Sequence, residues 1–250
     1  MIVLPMAGLS SRFFKAGYLV PKYQLELPNG QTMFDWAVTS FESYFESEHF
    51  VFILRDVYGT KQFVENRLRE LGIKSYDIVV LNEETKGQAE TVYLGLKEMT
   101  RTNFINDELF IFNIDSRRVS FRKSKVIHHE NVMGYLEVFH GEGNHWSFIK
   151  LDDQNNVILT TEKKRVSSLC SNGLYYFKSI DLFNQLFEVE CQKDLLSLTG
   201  GELYIAPLYN QLIAKGLIVD YELIHSSDIE FCGTPAEYHE LCAKMKEGNI

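Results

Sequence analysis

Four short apolar runs, Ile2 to Met6, Phe50 to Leu54, Ile78 to Leu81 and Leu109 to Ile114, alternate with helical stretches through the first 115 residues. Between 31 and 46, Phe34, Ala37, Val38, Phe41, Tyr44 and Phe45 fall on one helical face. Residues 60–72 read as a second helix stopped by Gly72, and 88–100 as a third. These are the periodicities of strands and amphipathic helices. Strands that alternate with helices in this way predict a parallel sheet with right-handed crossovers. In such an open sheet a ligand sits beyond the carboxyl ends of the strands. The loop 7–17 and Asp115 both fall there.

From about residue 132 the rhythm changes. VMGYLEVF, HWSFIKL, NVILTTE and GLYYFK are strand-like, while 180–190 and 202–215 read as helices. The expected fold is α/β: a mostly parallel, Rossmann-like central sheet with helices on both faces, and a smaller mixed α+β half. No Pro/Ser-rich linker or repeat separates the halves, so residues 1–250 read as one unit.

Charge and cysteine usage narrow the function. The net charge is −9, so no global basic field attracts nucleic acid or an anionic membrane. Cys170, Cys191, Cys232 and Cys242 form no C-x-x-C pair, which argues against zinc and fits a reducing cytosol. The start Met-Ile-Val-Leu-Pro-Met-Ala-Gly lacks a basic segment and a long apolar one, and no run of about 18 apolar residues exists. The expected location is cytoplasmic.

Four segments could carry chemistry. Gly8-Leu-Ser10-Ser11-Arg12 follows the first strand, and Pro21-Lys22 comes nine residues after the arginine. A small-residue loop presents backbone N–H groups to phosphate oxygens, and Arg12 and Lys22 would offset triphosphate charge. It is neither a Walker A loop nor a G-x-G-x-x-G fingerprint. Its plain alternative is a strand-to-helix turn with two surface cations. Asn113-Ile-Asp115 ends an apolar strand, where a carboxylate can hold Mg²⁺ with substrate phosphates or merely cap a helix. Lys86-Gly87-Gln88-Ala89 could admit a planar base, with Gln88 at its edge, or be an ordinary helix start. Glu162-Lys163 and Asn172-Gly173 could bind a polar, phosphorylated acceptor, or form a solvated charged turn. His145-Trp146 could line a pocket or the core. The histidines show no metalloprotease spacing, and no G-x-S-x-G element is present.

Taken in order, these segments resemble the nucleotidylyltransferase superfamily of GT-A-like fold, along almost the whole chain. Pro-Met-Ala7-Gly8-Leu-Ser10-Ser11-Arg12-Phe looks like its triphosphate loop and Pro21-Lys22-Tyr-Gln24 like its P-K element. Lys-Gly87-Gln88-Ala resembles the base-binding segment, and Asn113-Ile-Asp115 the metal strand. Thr-Glu162-Lys163 resembles the acceptor motif, and Ser-Asn172-Gly173-Leu-Tyr-Tyr-Phe the strand after it. Glu202-Leu-Tyr-Ile-Ala-Pro207 and Gly233-Thr234-Pro235 resemble later segments. The resemblance implies that Ala7, Gly8, Ser10, Ser11, Arg12, Lys22, Gln24, Gly87, Gln88 and Asn113 bind the nucleotide. It makes Arg12, Lys22 and Lys163 catalytic, and has Glu162, Lys163, Asn172 and Gly173 bind the acceptor. Asp115 would bind Mg²⁺. Residues 1–131 would be the nucleotide half and 132–250 the acceptor half.

The sequence also departs from the pattern. Ser10 stands where many members have glycine, Lys164 follows Glu162-Lys163 in place of proline, and Phe231 replaces an aspartate that completes the metal site. On a strand, Asp228 and Glu230 share one face and Phe231 takes the other, so a bulge could bring either carboxylate to the ion. The short form resembles stand-alone enzymes of bacterial capsule and surface-polysaccharide gene sets, among them the CTP:phosphoglutamine cytidylyltransferase type. The expected activity is therefore transfer of a nucleotidyl group, with CTP as the favoured triphosphate, to a small phosphorylated acceptor such as phosphoglutamine. A sugar-1-phosphate nucleotidylyltransferase using UTP, dTTP or CTP is the alternative, and a non-catalytic nucleotide-binding protein a third. The expected partners are an NTP and a phosphorylated acceptor, with neither nucleic acid nor membrane; a homo-oligomer stays open.

Overall fold

Parallel pairing of the first strands follows from the crossovers between them. The computed structural model describes residues 1–99, 104–194 and 198–248. Strands β1 (Ile2–Met6), β2 (His49–Leu54) and β3 (Ser75–Val80) lie side by side in parallel, and β4 (Leu109–Ile111) joins β1 on its other edge, also parallel. The strand order thus runs outward from β1 to β3 and then reverses to β4. That reversal opens a crevice at the carboxyl ends of β1 and β4, where open α/β sheets bind ligands.

The second half extends the same sheet. Strand β9 (Leu169–Phe177) runs antiparallel beside β4, β6 (Val132–His140) antiparallel beside β9, and β10 (Ile218–Leu223) parallel to β6. A hairpin of β7 (Ser147–Leu151) and β8 (Val157–Glu162) attaches to β9. Strands β5 (Ser116–Arg118) and β11 (Ile229–Phe231) form a separate antiparallel ribbon that places Phe231 opposite Ser116.

Helices cover both faces, so both faces bury apolar side chains. Helices α2 (Met33–Val38), α3 (Thr60–Leu71) and α7 (Pro235–Lys246) pack on one face through residues such as Phe34, Val64, Leu68 and Leu241. Helices α4 (Gln88–Glu98), α5 (Ile180–Glu190) and α6 (Tyr209–Ala214) pack on the other through Val92, Phe183 and Leu212. Each fully buried Phe or Leu in these layers contributes about 1.5–3 kcal/mol relative to exposure. Among the described residues, no helix is long and apolar enough to cross a membrane.

Three expected elements differ in extent. The helix read at 31–46 is α2 followed by a 3₁₀ segment, Thr39–Tyr44. Phe41 leaves helical geometry there (φ −107°, ψ 20°) and packs edge-on against Phe112 and Phe121, ring centroids 5.3 and 5.0 Å away. Core packing overrides helical periodicity at that point. The helix read at 202–215 begins late: a 3₁₀ turn at Ala206–Leu208 leads into α6. Before it, the Leu203 N–H donates to the Lys86 carbonyl (2.7 Å) and its carbonyl accepts from Ala89 N–H (2.9 Å), so an extended backbone satisfies both groups. The helix read at 88–100 is resolved as α4, and residue 100 lies outside the described residues.

Candidate active site

The first-strand loop leads from β1 into a short helix, and its geometry gives an explanation for Ser10. Ser10 adopts a left-handed conformation (φ 52°), which glycine would take without strain. Its Oγ accepts the Lys22 N–H at 3.1 Å and its carbonyl accepts the Phe13 N–H at 2.9 Å, opening the short helix α1 (Ser11–Lys15). The serine thus ties the loop to the Pro21-Lys22 element. Gly8 is exposed and faces open space: a Cβ there would meet nothing within 4 Å. Lys22 Nζ donates to Asp115 Oδ2 at 2.6 Å across the crevice. Arg12 stands on the rim, its guanidinium in no hydrogen bond or ion pair among the described residues but near enough for its charge to act on Asp115.

Asp115 is half-buried, with its side chain 29% exposed. Burial pushes its carboxyl up, but the charge and hydrogen bond of Lys22, backbone hydrogen bonding and the charge of Arg12 outweigh this and hold it below the ordinary value. The carboxylate is therefore ionised at neutral pH. Around it the walls close tightly. Gln88 Nε2 donates to Asn113 Oδ1 at 2.5 Å. Gly173 has φ 91°, and a Cβ there would stand 2.3 Å from Asn113 Nδ2, so only glycine lets β9 approach this loop.

The opposite wall comes from the β7–β8 hairpin and β9. Glu162 is buried and accepts a short hydrogen bond from Ser147 Oγ, which also bonds Tyr175 OH at 2.9 Å. Burial raises the Glu162 carboxyl above its ordinary value, against the opposing effects of Ser147 and Lys163. Lys163 is left-handed (φ 52°), and its ammonium donates to Tyr204 OH while lying 4.4 Å from that ring's centroid. Trp146 and Phe231 pack with ring centroids 4.6 Å apart and form an aromatic side to the cleft. Asn172 is buried in the wall, and its amide donates to Glu137 Oε2 at 2.6 Å.

These walls enclose a cleft of about 300 Å³ that Arg12, Gln88, Asn113, Asp115, Glu162, Lys163, Asn172 and Gly173 all line. Gly8, Ser10 and Lys22 line an adjoining cavity that shares Gln88, Asn113 and Asp115 with it. Ala7, Ser11 and Gly87 line a third, continuous through Gly8 and Gln88. Gln24 stays outside these walls, its amide directed to the Tyr58 carbonyl at 3.4 Å. Gly87 has a role the sequence did not suggest. Its φ is 138°, and a Cβ would lie 2.5 Å from the Leu203 carbonyl oxygen, so the close approach it permits is to Leu203 backbone.

The bulge expected to carry Asp228 or Glu230 to Asp115 is absent from the β5–β11 ribbon. Neither residue lines the cleft with Asp115. Glu230 lies opposite Arg117 and pairs with its guanidinium at 3.4 Å, while Asp228 Oδ2 accepts the His225 N–H at 3.2 Å. Strand alternation directs Glu230 away from Phe231, which faces Trp146. Besides Glu162, a further carboxylate lines the cleft with Asp115: Glu237, in the first turn of α7. The points that a Cβ on Gly233 would occupy lie 3.0 Å from Asp115 Oδ2 and 3.7 Å from Glu237 Oε2, so this glycine leaves space between the two. The Thr234-x-x-Glu237 capping box was a readable signal for this turn, although not for its direction. Tyr204, Ser147, Tyr175 and Ser116 are among the other lining residues that sequence reading missed.

The fold is that of nucleotidyltransferases. The crystal structure of a nucleoside-diphosphate-sugar pyrophosphorylase from Vibrio cholerae RC9 is 46% identical to this chain, with a TM-score of 0.91 over 97% of this chain and 100% of that one. A putative glucose-1-phosphate thymidylyltransferase from Bacillus anthracis, solved with sucrose, matches in fold at 17% identity (TM-score 0.75, 97% and 93% covered). The inositol-1-phosphate CTP transferase of T. maritima does so at 15% (TM-score 0.72, 99% and 96% covered). No protein-family model and no curated protein matches the chain. The chain belongs to the nucleotidylyltransferase superfamily and is an enzyme of nucleotidyl transfer.

Proposed function

We propose that the enzyme joins CTP to a small phosphorylated acceptor and releases pyrophosphate, with phosphoglutamine as the candidate acceptor and a cytoplasmic capsule or surface-polysaccharide pathway as its setting. The observation that carries nucleotidyl transfer is the division of cations about Asp115. Lys22 lines the cavity beside the open Gly8 loop, and Lys163 stands on the far wall of the adjoining cleft, which Arg12 also lines. Two phosphorylated substrates need two separate groups of cations. CTP and the phosphoglutamine acceptor rest on the resemblance of the short form to capsule-pathway cytidylyltransferases. A second reading, a sugar-1-phosphate acceptor, is supported by the name of the Vibrio cholerae relative.

In this reading the triphosphate lies along Ala7, Gly8, Ser10 and Ser11, with its charge offset by Arg12 and Lys22. Lys163 leaves Tyr204 for the acceptor phosphate, and Glu162 and Asn172 orient the rest of the acceptor. An acceptor phosphate oxygen attacks the α-phosphorus in line, the bond to the bridging β-phosphate oxygen breaks, and pyrophosphate carries away the electron pair. No covalent enzyme intermediate is needed. The donor set fits Mg²⁺: hard carboxylate oxygens of Asp115 and Glu237, with space between them left by Gly233. Among the described residues no three His, Cys, Asp or Glu side chains converge on a metal position, which suits an ion that keeps substrate phosphates and water as ligands. Bound Mg²⁺ would neutralise charge developing on the phosphates.

The test is pyrophosphate release from CTP, UTP and dTTP, each offered with phosphoglutamine, glucose-1-phosphate and inositol-1-phosphate, with the product read by ³¹P NMR. CTP with phosphoglutamine is expected to give the highest kcat/KM. Turnover only with a sugar-1-phosphate would establish the second reading, and no pyrophosphate from any pair would overturn both.

A further inference from the structure

We propose that Glu137, which does not line the cleft, is a positioning residue that fixes Asn172 in the acceptor wall and ties that wall to the segment carrying Asp115. The proposal rests on the reading that Asn172 belongs to the acceptor site.

Glu137 is 1% exposed, in the middle of β6. The β6–β9 register shifts between Leu136 and Val138, so the residue sits at an irregularity of the ladder, where a side chain can be re-aimed. Its Oε2 accepts from two donors on two different strands. One is Asn172 Nδ2 at 2.6 Å, from β9. The other is Arg118 Nε at 2.9 Å, from the end of β5, three residues beyond Asp115. The Arg118 NH1 group also donates to the Val119 carbonyl at 2.7 Å, which holds the guanidinium in place. Asn172 is fixed from its other end as well, because its Oδ1 accepts the Leu174 N–H at 2.9 Å.

A buried carboxylate is expensive, and an apolar side chain of the same volume usually stabilises a fold as well or better. Neither donor is needed to complete a sheet ladder. What the charge adds is geometry: one oxygen sets the distance between the arginine of the Asp115 segment and the amide of the acceptor wall. Directly after that amide comes Gly173, whose backbone packs against Asn113 on the nucleotide side. The Glu137 link therefore bears on the spacing between the reacting phosphates, a quantity to which in-line transfer is sensitive.

The experiment compares Glu137→Gln, Asn172→Ala and the double variant in steady-state assays of both substrates, with melting curves. Glutamine keeps the volume and removes the charge. Loss of one charge-assisted hydrogen bond is worth at least about tenfold. Glu137→Gln is expected to raise the KM for the acceptor by about tenfold and to leave the KM for the NTP within about twofold. In the Asn172→Ala background the same substitution should add almost nothing to the acceptor KM, since the amide it positions is gone. A merely structural glutamate would lower Tm and shift both KM values alike, additively with Asn172→Ala; that result overturns the proposal. Should Glu137→Gln fail to fold, Arg118→Met removes one donor and is expected to raise the acceptor KM selectively; an unchanged value counts against the proposal. If Asn172→Ala itself leaves the acceptor KM unchanged, the acceptor-wall reading fails with it. If only Glu137→Gln is silent, that reading stands and the positioning role falls.

Discussion

Two glycines of the cleft look alike in sequence and should answer substitution in opposite ways. At Gly87 the backbone φ of 138° is disfavoured for any L side chain, and a Cβ would meet Leu203 backbone atoms at 2.5–2.9 Å. The strained φ costs about 1–3 kcal/mol. Forcing an extra carbon against backbone costs about as much again, roughly 1–3 kcal/mol. Reduced freedom of the unfolded chain returns about 0.4–1 kcal/mol. Gly87→Ala should thus lose roughly 1–5 kcal/mol, and at about 2–4 °C per kcal/mol for a domain of this size Tm should drop by about 10 °C. At Gly8 φ lies outside the left-handed region and a Cβ meets nothing within 4 Å, so the protein alone gives no reason for a glycine. Gly8→Ala should leave Tm within about 3 °C of wild type. If triphosphate approaches the backbone there, the KM for the NTP should rise about tenfold or more, the cost of a methyl group held against a phosphate. Differential scanning calorimetry and NTP titration of both variants decide the matter. Equal melting temperatures would refute the close-approach account of Gly87, and unchanged nucleotide binding by Gly8→Ala would refute the phosphate loop.

Other substitutions separate the two groups of cations. Lys22→Ala should keep the fold and lower kcat about 10²–10³-fold, the value of one preorganised transition-state contact, and near-normal turnover would remove it from the chemistry. Lys163→Ala should raise the KM for the acceptor more than that for the NTP; an effect confined to the NTP would mean that it serves the other phosphate. Glu237→Gln preserves the capping box of α7, so a weakened Mg²⁺ dependence with unchanged Tm, checked by Mn²⁺ binding in EPR, would assign the carboxylate to the metal, whereas wild-type dependence would leave Asp115 alone there. Because the Asp115 carboxyl lies below its unfolded value, ~3.9, the stability gained from pairing with Lys22 is present above that pH and is lost as pH falls through the folded value. The Tm gap between wild type and Asp115→Asn should therefore close on acidification in that window, and a constant gap would show that charge is not its cause.

The sheet was legible because strand and helix periodicities reinforced one another up to Asp115, and the end of β1 and the turn after β4 fall where the alternation put them. Ser10 was harder to read, since a residue type cannot announce that its hydroxyl will take the Lys22 N–H. The place of a second carboxylate was hard to read for a geometric reason. Strand alternation was applied correctly to Asp228, Glu230 and Phe231, but without the ribbon partner one cannot tell which face meets the cleft. Pairing with Ser116 and Arg117 sets Phe231 toward Trp146 and Glu230 toward the arginine. The extended stretch before Pro207 was similarly invisible, because what holds it is the backbone around Gly87, more than a hundred residues earlier in the chain.

The place of β9 between β4 and β6 has a consequence during synthesis. Phe177 is made 66 residues after Ile111, and until β9 emerges the outer edge of β4 has no strand to pair with. At roughly 5–20 residues per second, that interval lasts about 3–13 s on the ribosome. For those seconds an apolar strand beside the future catalytic crevice presents unpaired backbone, the feature that invites edge-to-edge association. The nascent chain should accordingly be most prone to aggregation, and most in need of a chaperone, between completion of β4 and delivery of β9, and a ribosome stalled within that span should display the vulnerable intermediate.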